Sequence, residues 1–296
     1  MRREEIPTGF PIVSAYDRLR TLHPNWYVEW GRRDGNGWIP GEALIDPSTG
    51  GLGDLLQRIG MRMRTEDRKI IAASFVLRFG WSAGVAIAPY LLERCVPDIG
   101  LSNVSMKFSE GTLFEKVSLH EPRGVIIARQ AETEHHLLDF CNGCDGCSPK
   151  FSADGSTEDL RELNHALPEV LRAALVNQAR PVVEALHDWS RFSKRALWGQ
   201  ITSSWGSQFI SILAHLNRRI ESLEHVCAFF GAPGFVVGAR PTYYLVTHLN
   251  QTHVYHRRAT CCLYFKLPIG NYCASCPLVS QEERVRRNKD WMEKGH

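Results

Sequence analysis

This 296-residue chain contains no P-loop and no Gly-x-Gly-x-x-Gly fingerprint behind a strand, and its strand and helix patterns do not alternate. These absences argue against a doubly wound nucleotide fold and leave no recognisable NAD(P) or flavin site. Gly50-Gly51-Leu52-Gly53 has neither the spacing nor the preceding strand that such a site needs. No hydrolytic triad is recognisable, and the twelve histidines show no zinc-hydrolase spacing. Charge of one sign is also lacking. Thirty-five Lys and Arg against thirty-two Asp and Glu leave +3, and with no nucleic-acid motif no nucleic-acid partner is expected. Basic residues gather only locally, at 62–69, 257–258 and 284–289. Repeats and low-complexity tracts are missing, and 44% hydrophobic with 23% charged residues is ordinary globular usage.

No apolar stretch follows Met1-Arg-Arg-Glu-Glu-Ile-Pro, so no secretory signal is expected and the compartment reads as cytoplasmic. One apolar run, residues 70–92, is long enough to span a bilayer, with Arg78 its single charge. That central Arg, Ser74, Ser82, two glycines and Pro89 argue for a helix buried in a core instead.

The patterning predicts a helix-rich α+β fold with a small antiparallel sheet. Residues 1–50 read as irregular. A helix is expected over 54–63, then a cap at Thr65-Glu66-Asp67 opening the apolar helix, and a turn at 98–100. Alternation over 104–108 and 114–119, with the short run 124–128, predicts an antiparallel meander. A polar loop covers 139–156. Helices follow over 157–229, with breaks expected at Pro181 and near Trp198-Gly199. Residues 231–241 read as a connector with a short strand at 235–237, followed by strands at 243–248 and 252–256. A charged helix over 281–294 closes the chain. The organisation expected is a body over 1–250 and a cysteine-bearing segment with a basic helix over 251–296.

Nine cysteines, an odd number, do not suit a secreted disulfide scaffold. Four of them fall within sixteen residues as Cys261-Cys262, a ten-residue excursion through Pro268 and Gly270, and Cys273-x-x-Cys276. Four thiolates this close can enclose a metal with no ligand from elsewhere. An adjacent pair is not the usual zinc knuckle, and a [2Fe–2S] cluster, with four sulfurs over two irons, tolerates wider spacing. Iron–sulfur, structural zinc and unmetallated thiols remain the readings that spacing alone allows.

The pattern Cys-Cys-x10-Cys-x2-Cys, with Arg257-Arg258 before it and Pro277-Leu278 after it, resembles the FhuF-type ferric siderophore reductases. The apolar helix at Ala73-Ser74, its continuation to Pro97-Asp98, and Arg195-Ala-Leu-Trp-Gly199 sit where that family has like segments. The resemblance implies a [2Fe–2S] protein passing one electron to siderophore-bound Fe(III), with Cys261, Cys262, Cys273 and Cys276 as ligands. A hydroxamate siderophore and an external donor, a ferredoxin or flavoprotein, are the partners expected, with contact at the inner membrane face allowed. Arg257, Arg258 and Lys266 are candidates for tuning or docking. The alternative is a non-enzymatic four-cysteine protein holding structural zinc or a redox-sensing cluster.

Cys141, Cys144 and Cys147 form Cys-x-x-Cys-x-x-Cys in the polar loop, a candidate second metal site, with Cys95, Cys227, His135 or His136 as conceivable fourth ligands. Cys95 and Cys227 otherwise read as buried small hydrophobes on apolar helical faces. His248, His253 and His256 are candidates to line the iron site. Tyr255, Tyr264 and Tyr272 could shield it, and Lys194, Arg195 and Trp198 could face a substrate. For each of these, packing or a solvated surface is the plainer reading.

Overall fold

A computed structural model describes residues 10–23, 26–48, 50–109, 113–127, 137–139, 157–232 and 237–294. The first elements in chain order are α1 (Pro11–Leu22), β1 (Glu29–Trp30), β2 (Trp38–Pro40), α2 (Gly50–Met63), α3 (Arg68–Phe79), α4 (Gly84–Glu93) and β3 (Cys95–Pro97). Then come β4 (Val104–Phe108), β5 (Phe114–Leu119), β6 (Gly124–Ile127), β7 (Leu137–Asp139) and α5 (Thr157–Ser190). The last are α6 (Lys194–His215), α7 (Glu221–Gly231), β8 (Thr242–His248), β9 (Gln251–Arg257) and α8 (Gln281–Glu293). The fold is helix-rich α+β, as expected.

The chain forms two compact units, one of residues 1–42, 82–109 and 115–178, the other of 43–81, 110–114 and 179–296. In the first, a four-stranded sheet has the order β1-β5-β4-β2, with β1 parallel to β5 and β2 antiparallel to β4. A separate antiparallel sheet, β3-β6-β7, lies beside α1 and α4. The expected single meander is therefore corrected to two sheets. Buried Asn103 explains the parting: its side-chain amide donates to Asp98 O (2.9 Å) and Glu121 O (3.1 Å), and its Oδ1 accepts from Glu121 N (2.9 Å). That network turns the chain out of the first sheet after β5. Gly124 then lets β6 approach β3, because a Cβ there would sit 2.5 Å from Val96 O.

The irregular reading of residues 1–50 is corrected too, since α1 is a regular helix with Pro11 in its first turn. Its buried Ile12, Ala15, Tyr16 and Leu19 recur at helical spacing, and Tyr16 donates from its hydroxyl to Val85 O at 2.6 Å. Cys95 is buried, but on a strand rather than a helix, and burial pushes its thiol up to about 12. Cys227 lies on α7 but is exposed. The Cys-x-x-Cys-x-x-Cys loop, His135, His136 and residues 235–236 of the expected short strand lie outside the described residues.

The second unit is built around α6, whose buried face carries Leu197, Ile201, Trp205, Phe209 and Leu213. Trp205 meets Trp198 (6.2 Å) and Phe229 of α7 (6.4 Å) edge-on. Small residues let α3 approach closely: Ser204 Oγ donates to Leu77 O at 2.8 Å, and a Cβ on Gly80 would stand 2.7 Å from Ser204 Cβ. The antiparallel hairpin β8–β9 turns through Leu249 and Asn250, both at positive φ (49° and 58°).

Three helix boundaries differ from the patterning. The apolar run is not one helix: a 3-10 turn over Gly80–Ala83 separates α3 from α4, and the two helices belong to different units. Its most apolar window is 83% buried, the condition of a core segment. Pro181 does not break α5, and α6 runs through Trp198-Gly199; the break falls between them, at Arg191 (φ 55°) and the Ser193 cap. Pro181 and Asn177, four residues earlier, are both exposed, so the carbonyl that loses its partner faces water.

Candidate metal centre

The cysteine segment leaves β9 and is fastened at once to α6. Thr260 Oγ1 donates to Ala196 O (2.9 Å), while Gln200 Nε2 donates to Thr260 O (2.8 Å) and Oγ1 (2.9 Å). The Ala259 amide donates to Ser203 Oγ at 3.1 Å. Gly199 makes this approach possible, because a Cβ there would fall 2.3 Å from Thr260 Oγ1. Cys261 and Cys262 thus begin from a fixed point on a buried helix.

The excursion is folded as tightly. Leu263 takes the left-handed conformation (φ 61°), which aims its amide at Cys261 Sγ (3.3 Å). A 3-10 turn over Tyr264–Lys266 follows, with Leu267 buried beneath it. At Gly270 a Cβ would lie 1.9 Å from Tyr264 O, so only glycine lets the chain double back. Phe265 and Tyr272 then stack at 4.8 Å across the excursion. In the Cys-x-x-Cys turn, Cys276 N donates to Cys273 O at 3.1 Å.

Arginines brace the returning chain. Arg258 bonds Ser275 twice, from its amide (2.9 Å) and from Nε to Oγ (3.1 Å), and Arg257 donates to Pro277 O at 3.1 Å. From α8, capped by Ser280, buried Arg284 donates to Cys276 O (3.2 Å) and Val279 O, and Arg287 donates to Tyr272 O (2.6 Å). Arg284 and Arg287 of the charged C-terminal helix are therefore turned onto carbonyls of this segment. Lys266 is exposed.

The four thiols are neighbours. Burial and the adjacent Cys276 and Cys262 push the Cys261 thiol up to about 11, against the pull of the Leu263 amide. Burial also raises Cys276, which feels Cys273 and Cys262 as well, while the Leu278 amide works in the opposite direction. As thiolates these groups repel one another, and two backbone amides point at sulfur. That chemistry suits a bound cationic centre. Among the described residues no three His, Cys, Asp or Glu side chains close on one point as they would around a single ion.

A cavity of about 600 Å³ opens against this segment, with Cys262, Cys273 and Tyr264 on its wall. The rest of its lining includes Arg62 of α2, Arg78 of α3, Trp81 and Arg258. Its size is that of a small-molecule site.

The other candidates do not gather here. His248 pairs with Glu293 (2.8 Å), and His253 meets Gln251 (3.3 Å), neither of them on the cavity wall. Burial and Arg258 push His256 down to about 4. Tyr255 packs beside Tyr244, Lys194 pairs with Glu184, and Trp198 is core. Pattern reading missed Gly199, Gln200 and Thr260 as anchors, and it missed Arg62 and Arg78 as cavity residues. A glycine in a helix interior and a lone charge in an apolar run were the available signals.

Residues 258–278 match the family model described as the FhuF 2Fe-2S C-terminal domain. All four cysteines of the motif fall within the match. No curated protein matches the chain.

Proposed function

Taking residues 258–278 as a FhuF-type [2Fe–2S] domain, we propose that this protein is a ferric siderophore reductase. Cys261, Cys262, Cys273 and Cys276 would hold the cluster. The observation that carries this reading is the chelate-sized cavity sharing its wall with two of those cysteines, Cys262 and Cys273. When bound, a [2Fe–2S] cluster supplies electrons singly, the stoichiometry that Fe(III) to Fe(II) requires.

The chain's own residues do the rest. The cavity seats the chelate beside the thiolates, with Trp81 and Tyr264 offering faces to its organic frame. The Leu263 and Leu278 amides favour added negative charge at the sulfurs, and Arg258 shares the cavity wall with Cys262 and Cys273. Siderophore oxygens are hard donors that grip Fe(III) far more tightly than Fe(II), so the reduced substrate releases its metal without any bond to the chelator being cut. No nucleophile or proton transfer is needed. The electron comes from an external one-electron donor of the ferredoxin or flavoprotein class, and the reaction is placed in the cytoplasm.

The test is anaerobic visible spectroscopy of the purified protein. The chromophore is bleached with a reductant, the excess removed, and ferric siderophores added with an Fe(II)-trapping chelator. Stoichiometric return of the bands with capture of Fe(II) is expected. A colourless zinc protein, or a bleached one that no ferric siderophore reoxidises, would overturn the reading.

A further inference from the structure

Three guanidiniums, Arg62, Arg78 and Arg258, line the cavity beside Cys262 and Cys273, and among the described residues no acidic side chain is on its wall. None of the three forms an ion pair with a carboxylate among the described residues. Arg258 spends its Nε on Ser275 Oγ. Arg78 is the sharper case. It stands in an apolar helix, donates from one terminal nitrogen to Ser74 O (2.8 Å) and to Ser74 Oγ, and keeps a buried Nε with no partner. A half-buried cation with no carboxylate partner among the described residues is costly, and burial together with Arg62 lowers its affinity for its proton. Such an arrangement is stabilised by an anion entering the cavity. Arg258 is tied to the cysteine segment through Ser275. Arg62 and Arg78 come from α2 and α3, separate elements, and face the same space.

We propose that the cavity selects ferric chelates of net negative charge that carry free or iron-bound carboxylates, in place of the neutral hydroxamate chelates expected from the sequence; this rests on the reductase reading. Carboxylate is the group that fits best. A guanidinium pairs with it as a two-pronged fork, and in a hydroxycarboxylate chelate the negative oxygens lie at the periphery, where Arg62 and Arg78 can reach them. In a tricatecholate the charged oxygens are all occupied with iron. A neutral trihydroxamate would leave Arg78 desolvated and unpaired, which is a penalty against that ligand.

Gallium(III) chelates test the pocket without electron transfer, since Ga(III) matches Fe(III) in charge and size but is not reduced. Equilibrium dialysis, with quenching of tryptophan fluorescence as a second readout, would compare a Ga(III) hydroxycarboxylate siderophore, a neutral Ga(III) trihydroxamate and a Ga(III) tricatecholate on the cluster-loaded protein. The carboxylate chelate is expected to bind about tenfold or more tighter than the trihydroxamate, with the difference shrinking as NaCl rises from about 0.05 to about 0.5 M. Arg78→Gln and, separately, the exposed Arg62→Gln should each abolish most of that preference; Arg62→Gln keeps the test open if the buried variant fails to fold. Equal binding of the carboxylate and hydroxamate chelates, or tighter binding of the tricatecholate, would overturn the assignment. So would variants that shift the cluster's midpoint potential but leave gallium-chelate binding unchanged, since the arginines would then serve the cluster alone. Reoxidation of the bleached protein by ferric hydroxamate without carboxylate binding defeats this proposal and spares the reductase reading. Failure of every ferric chelate to reoxidise it defeats that reading instead.

Discussion

Cys276 is 3% exposed and touches the charge of all three other thiols, whereas Cys262 opens onto the cavity. Cys276→Ser and Cys262→Ser should each remove the visible chromophore and most of the bound iron, read by absorbance and by iron analysis; retention of both would refute the ligand set. Gly199→Ala is a more selective probe. Its new methyl would strike Thr260 while α6 stays a helix, so iron retention should fall at nearly unchanged far-ultraviolet circular dichroism. His256 adds a pH signature. Its folded-state value of about 4 lies below the ordinary 6.5, so the unfolded chain binds the proton first and stability falls as pH drops through that interval. His256→Gln should flatten that slope between pH 7 and pH 5, measured by the denaturant midpoint. At this scale the cysteines were legible because they form a local pattern, while the cap of the apolar helix falls at Asp67 (accepting from Lys69 N at 2.8 Å), two residues after Thr65. The histidines were not legible. His253 and His256 are an odd number of positions apart on one strand and so project to opposite faces. The Gly199–Thr260 contact joins positions too far apart in sequence for any spacing rule.

Of two helices, α8 was read correctly in extent and incompletely in purpose, whereas α5 was wrongly broken at Pro181. The charged helix α8 has the composition of a solvated surface element, yet Arg284 is buried under Cys276 and Arg287 crosses to Tyr272. Composition cannot show which arginines turn inward, because the carbonyls that attract them belong to another segment. Removing Arg284 leaves the Cys276 and Val279 carbonyls short of a donor, so Arg284→Met should destabilise the fold by about 1–3 kcal/mol. The loss would appear in denaturant unfolding and in faster release of iron. In α5, Pro181 was mistaken for a terminus because the tolerance of a proline depends on which way the orphaned carbonyl faces. Pro181→Ala restores an amide on the exposed face and should stabilise α5 by about 1–3 kcal/mol, visible as a higher Tm.

Over the whole molecule, the helix-rich α+β class followed from patterning, while the division of the strands into separate sheets and of the apolar run between two units did not. Both depend on long-range packing: Asn103 gathering distant carbonyls in one case, Ser204 of α6 meeting α3 in the other. Because 83% of the run's most apolar window is buried, the folded chain should enter the aqueous phase in a detergent phase-separation assay.

The same run has a history before it is buried. On the ribosome, α3 emerges long before its partner, since Ser204 follows Leu77 by 127 residues. At about 5–20 residues per second, α3 waits on the order of 10 s for α6. Throughout that interval the run resembles a transmembrane segment to any insertion machinery, except for the guanidinium near its middle, which raises the cost of entering the bilayer by about 2.5–3.5 kcal/mol. Arg78 therefore makes bilayer insertion of the nascent run costlier. Replacing it with leucine would expose the protein to a risk during synthesis that its finished fold would never reveal.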